Sequence, residues 1–331
     1  MSNAVAMVLD KMPKVGCTPG VISYSIVIDG LCKKGAVNEA FILLEHMLSE
    51  GLVPNVVTYS SLINGLCMTG EIRRAEDQLQ QMRARGYEPN IVTYSTLING
   101  LCKNVEIEKA EELLRDMFSQ GLKPDALTYS TLIDGLCKNG EIEKAEELLR
   151  NMFSQGLQPD VVSYSTLING LCKNGEIEKA EELLHHMFSQ GPQPDVVTYS
   201  TLIDGLCKNG ETEKAEVLLR DMFSQGPQLT YITLINGLCK NGEIEKAEEL
   251  LRHMFSQGLQ PDVLTCTILV DGFCKKGLLD KALEMLEVMV SKGIEPNVVT
   301  YYSVMDSLCK KGEIIKALVL LHIMKSRDGS K

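Results

Sequence analysis

The sequence predicts an all-α fold, an α-solenoid of 35-residue helical hairpins, and three observations carry that expectation. Nearly the whole chain is copies of one stretch, clearest at Val161–Asp195: VVSYSTLINGLCKNGEIEKAEELLHHMFSQGPQPD. Each copy holds two segments whose apolar residues recur at helical spacing. Glycine, proline and a closing Asp or Asn punctuate every copy at fixed places. Length alone would suggest about two domains, but internal repetition overrides that prior and makes one quasi-linear array the better reading.

The first helix of the unit has two unlike sides. With Val162 at zero and 100 degrees per residue, Val161, Tyr164, Leu167, Ile168, Leu171 and Cys172 cluster on one side. Ser165, Asn169 and Lys173 line up with Val162 on the other. A helix that only packs keeps its exposed stripe polar. An aliphatic residue beside a hydroxyl, an amide and an ammonium instead suits a ligand with flat apolar faces, polar edges and negative charge.

The second helix, from Glu176 to Phe188, spaces Ile177, Ala180, Leu183, Leu184 and Met187 for packing, with Glu and Lys elsewhere. Gly175 lies where a left-handed cap is wanted, Glu176 and Glu178 favour the positive amino end of the second helix, and Gly191 follows its last turn. Pro194 stops continuation, and Asp195 is placed to cap the next first helix. No hairpin buries its stripe alone, so neighbours must stack.

A partial repeat over residues 1–20 precedes nine units, at 21–55, 56–90, 91–125, 126–160, 161–195, 196–228, 229–262, 263–297 and 298–331. Ser2 to Met12 already reads as a second helix, so the sequence is expected to begin inside a repeat. The sixth unit is shortened: GPQLTYITL, from Gly226 to Leu234, lacks three residues present in GPQPDVVTYSTL. The last unit lacks its closing loop. Val105 replaces the turn glycine, and Cys266 replaces the tyrosine of its unit.

The formal charge of -11, taken whole, argues against a nucleic-acid partner. Distribution qualifies that, because the acids fall mainly on second helices while Lys138 and its equivalents end first helices. No apolar run reaches the ~18 residues of a membrane span. Nine of the eleven cysteines, Cys32, Cys67, Cys102, Cys137, Cys172, Cys207, Cys239, Cys274 and Cys309, hold one place in successive units. They read as small buried hydrophobes in a reducing compartment.

The pattern VxTYSTLIxGLCKxGxxxxAxxLLxxMxxxGxxPD closely resembles the pentatricopeptide repeat across essentially the whole chain. Its uniform spacing is similar to the P class, and GLCKNGEIEKAEELL to restorer-of-fertility-like members of plants. The resemblance implies a right-handed superhelix that binds single-stranded RNA, one base per repeat. It also implies a mitochondrial or chloroplast setting, with any RNA-processing step supplied by a separate protein.

The family's base-specifying positions are the residue after the helix-opening Tyr and the last residue of the unit. Here the pairs are Ser25 with Asn55, Ser60 with Asn90, Ser95 with Asp125, Ser130 with Asp160, and Ser165 with Asp195. Ser200 has lost its partner, Asp262 is paired with Ile232, and Thr267 goes with Asn297. Tyr302 makes the last unit an unsuitable reader. An ionised Asp only accepts, suiting the imino proton of guanine or uracil, whereas an Asn amide can donate to adenine or cytosine. By family analogy a small hydroxyl favours purines, so the expected target is 5′-AAGGGNNA-3′. Base-sandwiching aliphatics would be Ile22, Val57, Val92, Leu127, Val162, Val197, Leu229 and Leu264. Phosphate contacts would be Lys33, Lys103, Lys138, Lys173, Lys208, Lys240, Lys275 and Lys310, with Met68 breaking the series.

Plainer roles stand beside these. An Asp or Asn after Pro is what a helix cap demands, and capping is compatible with reading. Ser after Tyr could be an exposed residue, the aliphatics could fill grooves between repeats, and lysine suits a helix carboxyl end. His46, His185, His186, His253 and His322 fall on late second-helix positions without metal spacing. No catalytic constellation, cofactor site or small-molecule pocket is legible, and no membrane contact is expected. The competing function is a protein-binding scaffold like tetratricopeptide arrays, which would explain the acidity but lacks that repeat's Trp and Leu-Gly signature.

Overall fold

The computed structural model describes residues 18–221 and 228–328, with side chains there except at 190, 221, 228, 229 and 326–328. Most of the partial repeat, residues 1–17, lies outside the described residues, as does the side chain of Leu229. Among the described residues every regular element is an α-helix. They come as hairpins: α1 (Val21–Lys33) with α2 (Val37–Ser49), α3 (Val56–Met68) with α4 (Ile72–Ala84), and α5 (Ile91–Lys103) with α6 (Ile107–Ser119). Then follow α7 (Ala126–Lys138) with α8 (Ile142–Ser154), α9 (Val161–Lys173) with α10 (Ile177–Gln190), and α11 (Val196–Lys208) with α12 (Thr212–Asp221). The last are α13 (Gln228–Asn241) with α14 (Ile244–Ser256), α15 (Val263–Lys275) with α16 (Leu279–Ser291), and α17 (Val298–Lys310) with α18 (Ile314–Asp328).

The chain divides into two compact units, one ending at Gly170 and one beginning at Leu171. In the first, α1, α3, α5 and α7 stack side by side, each backed by its own second helix. The second repeats this with α11, α13, α15 and α17.

Backbone chemistry sets the ends of these helices. Asn55, Asn90, Asp125, Asp160, Asp195, Asp262 and Asn297 each accept the backbone N–H three residues on, at 2.8 to 3.0 Å. Such a cap stabilises by about 1 kcal/mol. At the carboxyl end of α3, Glu71 N–H bonds Leu66 O at 2.8 Å and Gly70 N–H bonds Cys67 O at 3.3 Å, with Gly70 left-handed at φ 78. That is a Schellman closure. Val105, at φ 63, holds the same conformation with a β-branched side chain, a strained substitute as expected. Gly191 departs from the pattern: it is extended at φ -106, ψ -170, and α10 is one residue longer than α2, α4, α6, α8, α14 and α16. The reason is Pro192, since a residue before proline is pushed into extended backbone.

First helices approach closely because glycine meets cysteine. A Cβ on Gly100 would lie 2.6 Å from Cys67 Sγ, and one on Gly135 would lie 2.8 Å from Cys102 Sγ. In the second unit Gly205 sits on Cys172 and Gly237 on Cys207 in the same way. The contact of Gly237 with Cys207 spans the three-residue deletion, so the deletion shortens a connection without breaking the stack. Around this seam Tyr59, Tyr94, Tyr129, Ala75, Ala110 and Met82 are buried. Most seam cysteines are buried as expected, but Cys239 and Cys274 are half-buried and Cys309 is exposed, because no described helix packs over it. The outward faces of second helices carry an ion-pair ladder: Lys109 reaches Glu106 at 2.6 Å in its own repeat and Glu76 at 3.3 Å in the previous one. No described helix is long and apolar enough to cross a membrane.

Candidate nucleic-acid interface

The stripe opposite the packing side has the make-up read from the sequence. Ile22, Val57, Val92, Leu127, Val162, Val197 and Leu264 are exposed, Val57 at 59% and Leu127 at 68%, so none of them fills a groove between helices. Holding that many aliphatic side chains in water forgoes burial worth about 1.5 kcal/mol or more each. The hydroxyls lie deeper than a surface residue would. Ser25, Ser130 and Thr267 are buried, while Ser60, Ser95, Ser165 and Ser200 are half-buried. The unit-closing residues Asn90, Asp125, Asp160, Asp195, Asp262 and Asn297 are exposed and Asn55 is half-buried.

Capping decides which atom of each closing residue faces outward. A backbone N–H can be accepted only by the Oδ1 of an Asn, so the cap at Thr58 N fixes the Asn55 amide with Nδ2 turned away from the helix. The same holds for Asn90 and Asn297. An Asp commits Oδ1 to the cap and keeps Oδ2, an acceptor, for anything beyond it, as at Asp125 and Asp160. Asn units therefore present a donor and Asp units an acceptor at one place in space. Capping therefore does not exclude a further contact, because it leaves the opposite polar atom of the side chain uncommitted to the cap.

All eight first-helix lysines are exposed, but they fall into two classes that spacing alone does not separate. Lys33, Lys138, Lys208, Lys275 and Lys310 pair with Asp29, Asp134, Asp204, Asp271 and Asp306, one turn earlier, at 2.5 to 2.7 Å. The hydrogen bond that Lys310 donates to Asp306 raises the Lys310 pKa above its usual value. Lys103, Lys173 and Lys240 have Asn99, Asn169 and Asn236 at that place. Among the described residues Lys103 and Lys240 form no ion pair. The legible signal was Asp or Asn four residues before the lysine, as in IDGLCK against INGLCK.

Two positions around the deletion lose their chemistry. The hydroxyl of Ser200 is buried with no hydrogen-bond partner among the described residues. Asp262 caps Thr265 at 2.8 Å, but the residue that the sequence pairs with it is Ile232, which has no polar atom beyond its backbone. The histidines sit on second helices away from the stripe. His46 Nδ1 meets Tyr24 Oη at 2.8 Å and His253 Nδ1 meets Tyr231 Oη at 2.9 Å. No metal-ligating cluster occurs among the described residues.

Comparison with known proteins follows these contours. The model of the PPR repeat family matches residues 19–68, 54–103, 96–138, 131–173, 159–208, 194–229, 228–275 and 262–310. That of the PPR repeat matches 299–328. No curated protein matches the sequence. Among solved structures, the pentatricopeptide repeat protein PPR10 in complex with an 18-nt psaJ RNA element superposes with TM-score 0.69 at 26% identity, over 99% of this chain and 48% of that one. PPR10 from maize gives 0.51 at 25% identity, over 97% and 56%. The chain thus spans about half the length of these structures.

Proposed function

We infer function from one premise: the chain belongs to the PPR repeat family. We propose that it binds single-stranded RNA without catalysing a reaction, one base per hairpin, at about 5′-AAGGGNNA-3′ read by the units from residue 21 onward. The observation that carries this is the fixed polarity of the closing residues, donor at Asn55 and Asn90, acceptor at Asp125 and Asp160. Adenine N1 accepts where the Asn amide donates, and the guanine imino proton is donated where the carboxylate accepts. Exposed aliphatics at Val57, Val92 and Leu127 suit the flat faces of splayed bases. The RNA in the PPR10 complex supports this ligand class.

Ser200 and Ile232 leave two neighbouring bases unread, so the five bases before them carry the specificity. The uniform unit length supports a P-class assignment, and the GLCKNGEIEKAEELL wording supports a restorer-of-fertility-like subtype. With these goes a place in organellar RNA processing, stabilisation or translation, any cleavage falling to a separate protein.

A fluorescence-anisotropy titration of the chain tests the reading. Tight binding to the purine octamer over its complement and over duplex is expected. Asp160→Asn with Asp195→Asn should move preference from guanine to adenine at the fourth and fifth bases with the helix caps kept, because Asn supplies the same Oδ1. Equal, weak binding to all three nucleic acids would instead favour a protein-binding scaffold.

A further inference from the structure

Between the two reading side chains of a hairpin stands a third, the third residue of the next first helix. Ser25 Oγ lies 2.8 Å from Thr58 Oγ1, which lies 3.1 Å from the capping Asn55 Oδ1. Ser60, Thr93 and Asn90 repeat this at 2.8 and 3.0 Å, and Ser95, Thr128 and Asp125 at 2.6 and 2.6 Å. Ser130, Ser163 and Asp160 do so at 2.9 and 2.8 Å, and Thr267, Thr300 and Asn297 at 2.7 and 2.9 Å. The middle residues are buried, Thr58, Thr93, Ser163 and Thr300 at 0% and Thr128 at 1% exposure. In four of these chains the reading hydroxyl also lies 2.7 to 2.9 Å from the carbonyl one turn back, at Val21, Ile91, Ala126 and Val263.

The protons can be counted. Each of those four chains has two hydroxyl protons for three oxygen–oxygen contacts: carbonyl to reader, reader to middle, middle to cap. The protons run toward the cap, run toward the carbonyl, or point apart and leave two hydroxyl oxygens facing each other unbridged. In all three orders the reader's single proton is spent inside the chain, so the reader meets a ligand only as an acceptor. An ionised cap draws the protons its way. The reason is that a bond to a charged acceptor is stronger than one to a neutral amide oxygen.

We propose that this middle hydroxyl is a specificity-determining positioning residue, which makes the reading serine an obligate acceptor and so separates guanine from uracil. The proposal rests on the RNA reading above and sharpens it. Ser with Asp then presents two acceptors. Guanine meets them with adjacent N1–H and N2–H donors, whereas uracil has one imino donor flanked by two carbonyls. Ser with Asn presents an acceptor and a donor, matching adenine N6–H and N1. At Ser200, where the deletion removes the register, the hydroxyl has no such partner.

Thr128→Val tests this in the full chain. It keeps the shape and the backbone N–H that Asp125 caps at 2.8 Å, but leaves the Ser95 proton only one of its two internal acceptors, the Ile91 carbonyl at 2.7 Å that already takes a helix N–H, so the proton can turn toward a base. Binding is measured to the octamer carrying G or U at the third base. The G-to-U affinity ratio should fall roughly fivefold, about the worth of one hydrogen bond, while Thr128→Ser keeps it. An unchanged ratio in Thr128→Val overturns the relay. A wild-type chain with no base preference overturns the RNA reading itself and the relay with it. If Thr128→Val loses its helical circular dichroism, Ser163→Ala, a smaller change, decides the question at the fourth base by the same ratio.

Discussion

A lysine that already has a carboxylate within reach is a poorer phosphate ligand than one that has none. Lys138 is held by Asp134 at 2.6 Å, so the local charge there is near zero, whereas Lys103 faces Asn99 and keeps its full charge. The exposed pair itself is worth only about 0 to 1 kcal/mol, so it lowers the attraction for a phosphate without fixing the side chain. Each phosphate contact on single strands contributes about -0.7 to the slope of log K against log salt. Lys103→Ala should therefore flatten that slope by about 0.7, and Lys138→Ala by clearly less. Base preference should stay unchanged in both, since phosphate contacts position rather than specify. Equal slopes for the two variants in a salt titration would remove the distinction between paired and unpaired lysines.

A first helix must satisfy two neighbours, and glycine at its tenth residue shows how. Gly30 has nothing among the described residues within 4 Å of where a Cβ would stand, whereas at Gly100 the Cβ would meet Cys67 Sγ at 2.6 Å and Cys67 Cβ at 2.8 Å. Alanine favours helix over glycine by about 1 kcal/mol, and overpacking costs about 1 to 3 kcal/mol. Gly30→Ala should then raise the urea midpoint and Gly100→Ala lower it. Cys67→Ala should not rescue Gly100→Ala, because the Cβ of residue 67 is itself in the way. The hairpins, their caps and the two sides of α9 were legible because spacing and cap residues act locally. This glycine was not, since a residue that weakens an isolated helix explains itself only when the next helix lies against it. The extended Gly191 has its cause in the neighbouring Pro192, a local signal that the repeat pattern masks. The hydroxyl relay from Ser95 through Thr128 to Asp125 could not be read from spacing, because it joins residues 33 apart across a packing contact.

The seam that holds each unit together is also its chemical weak point at high pH. Burial pushes the thiols of Cys67 and Cys102 up to about 12 and that of Cys32 up to about 11 in the first unit, from the usual 9.0. In the second unit Cys172, Cys207 and Cys239 are likewise pushed up to about 12. Below pH 9 the thiols are protonated folded or unfolded, and their burial contributes in full. Between pH 9 and about 12 the unfolded chain loses protons that the folded chain keeps, so stability falls as pH rises. Each such thiol removes about 1.4 kcal/mol per pH unit. Three in one unit remove about 4 kcal/mol per pH unit, against a typical total of about 5 to 15 kcal/mol. Both units should lose their helical signal by about pH 11, and the proposed RNA binding with it, because the stripe proposed to read bases lies on the same helices as the seam. In circular dichroism at 222 nm, Cys67→Ala with Cys102→Ala should delay that loss in the first unit. A chain that stays fully helical at pH 11 would mean that the thiolates find water without unfolding, and that the seam opens locally one hairpin at a time.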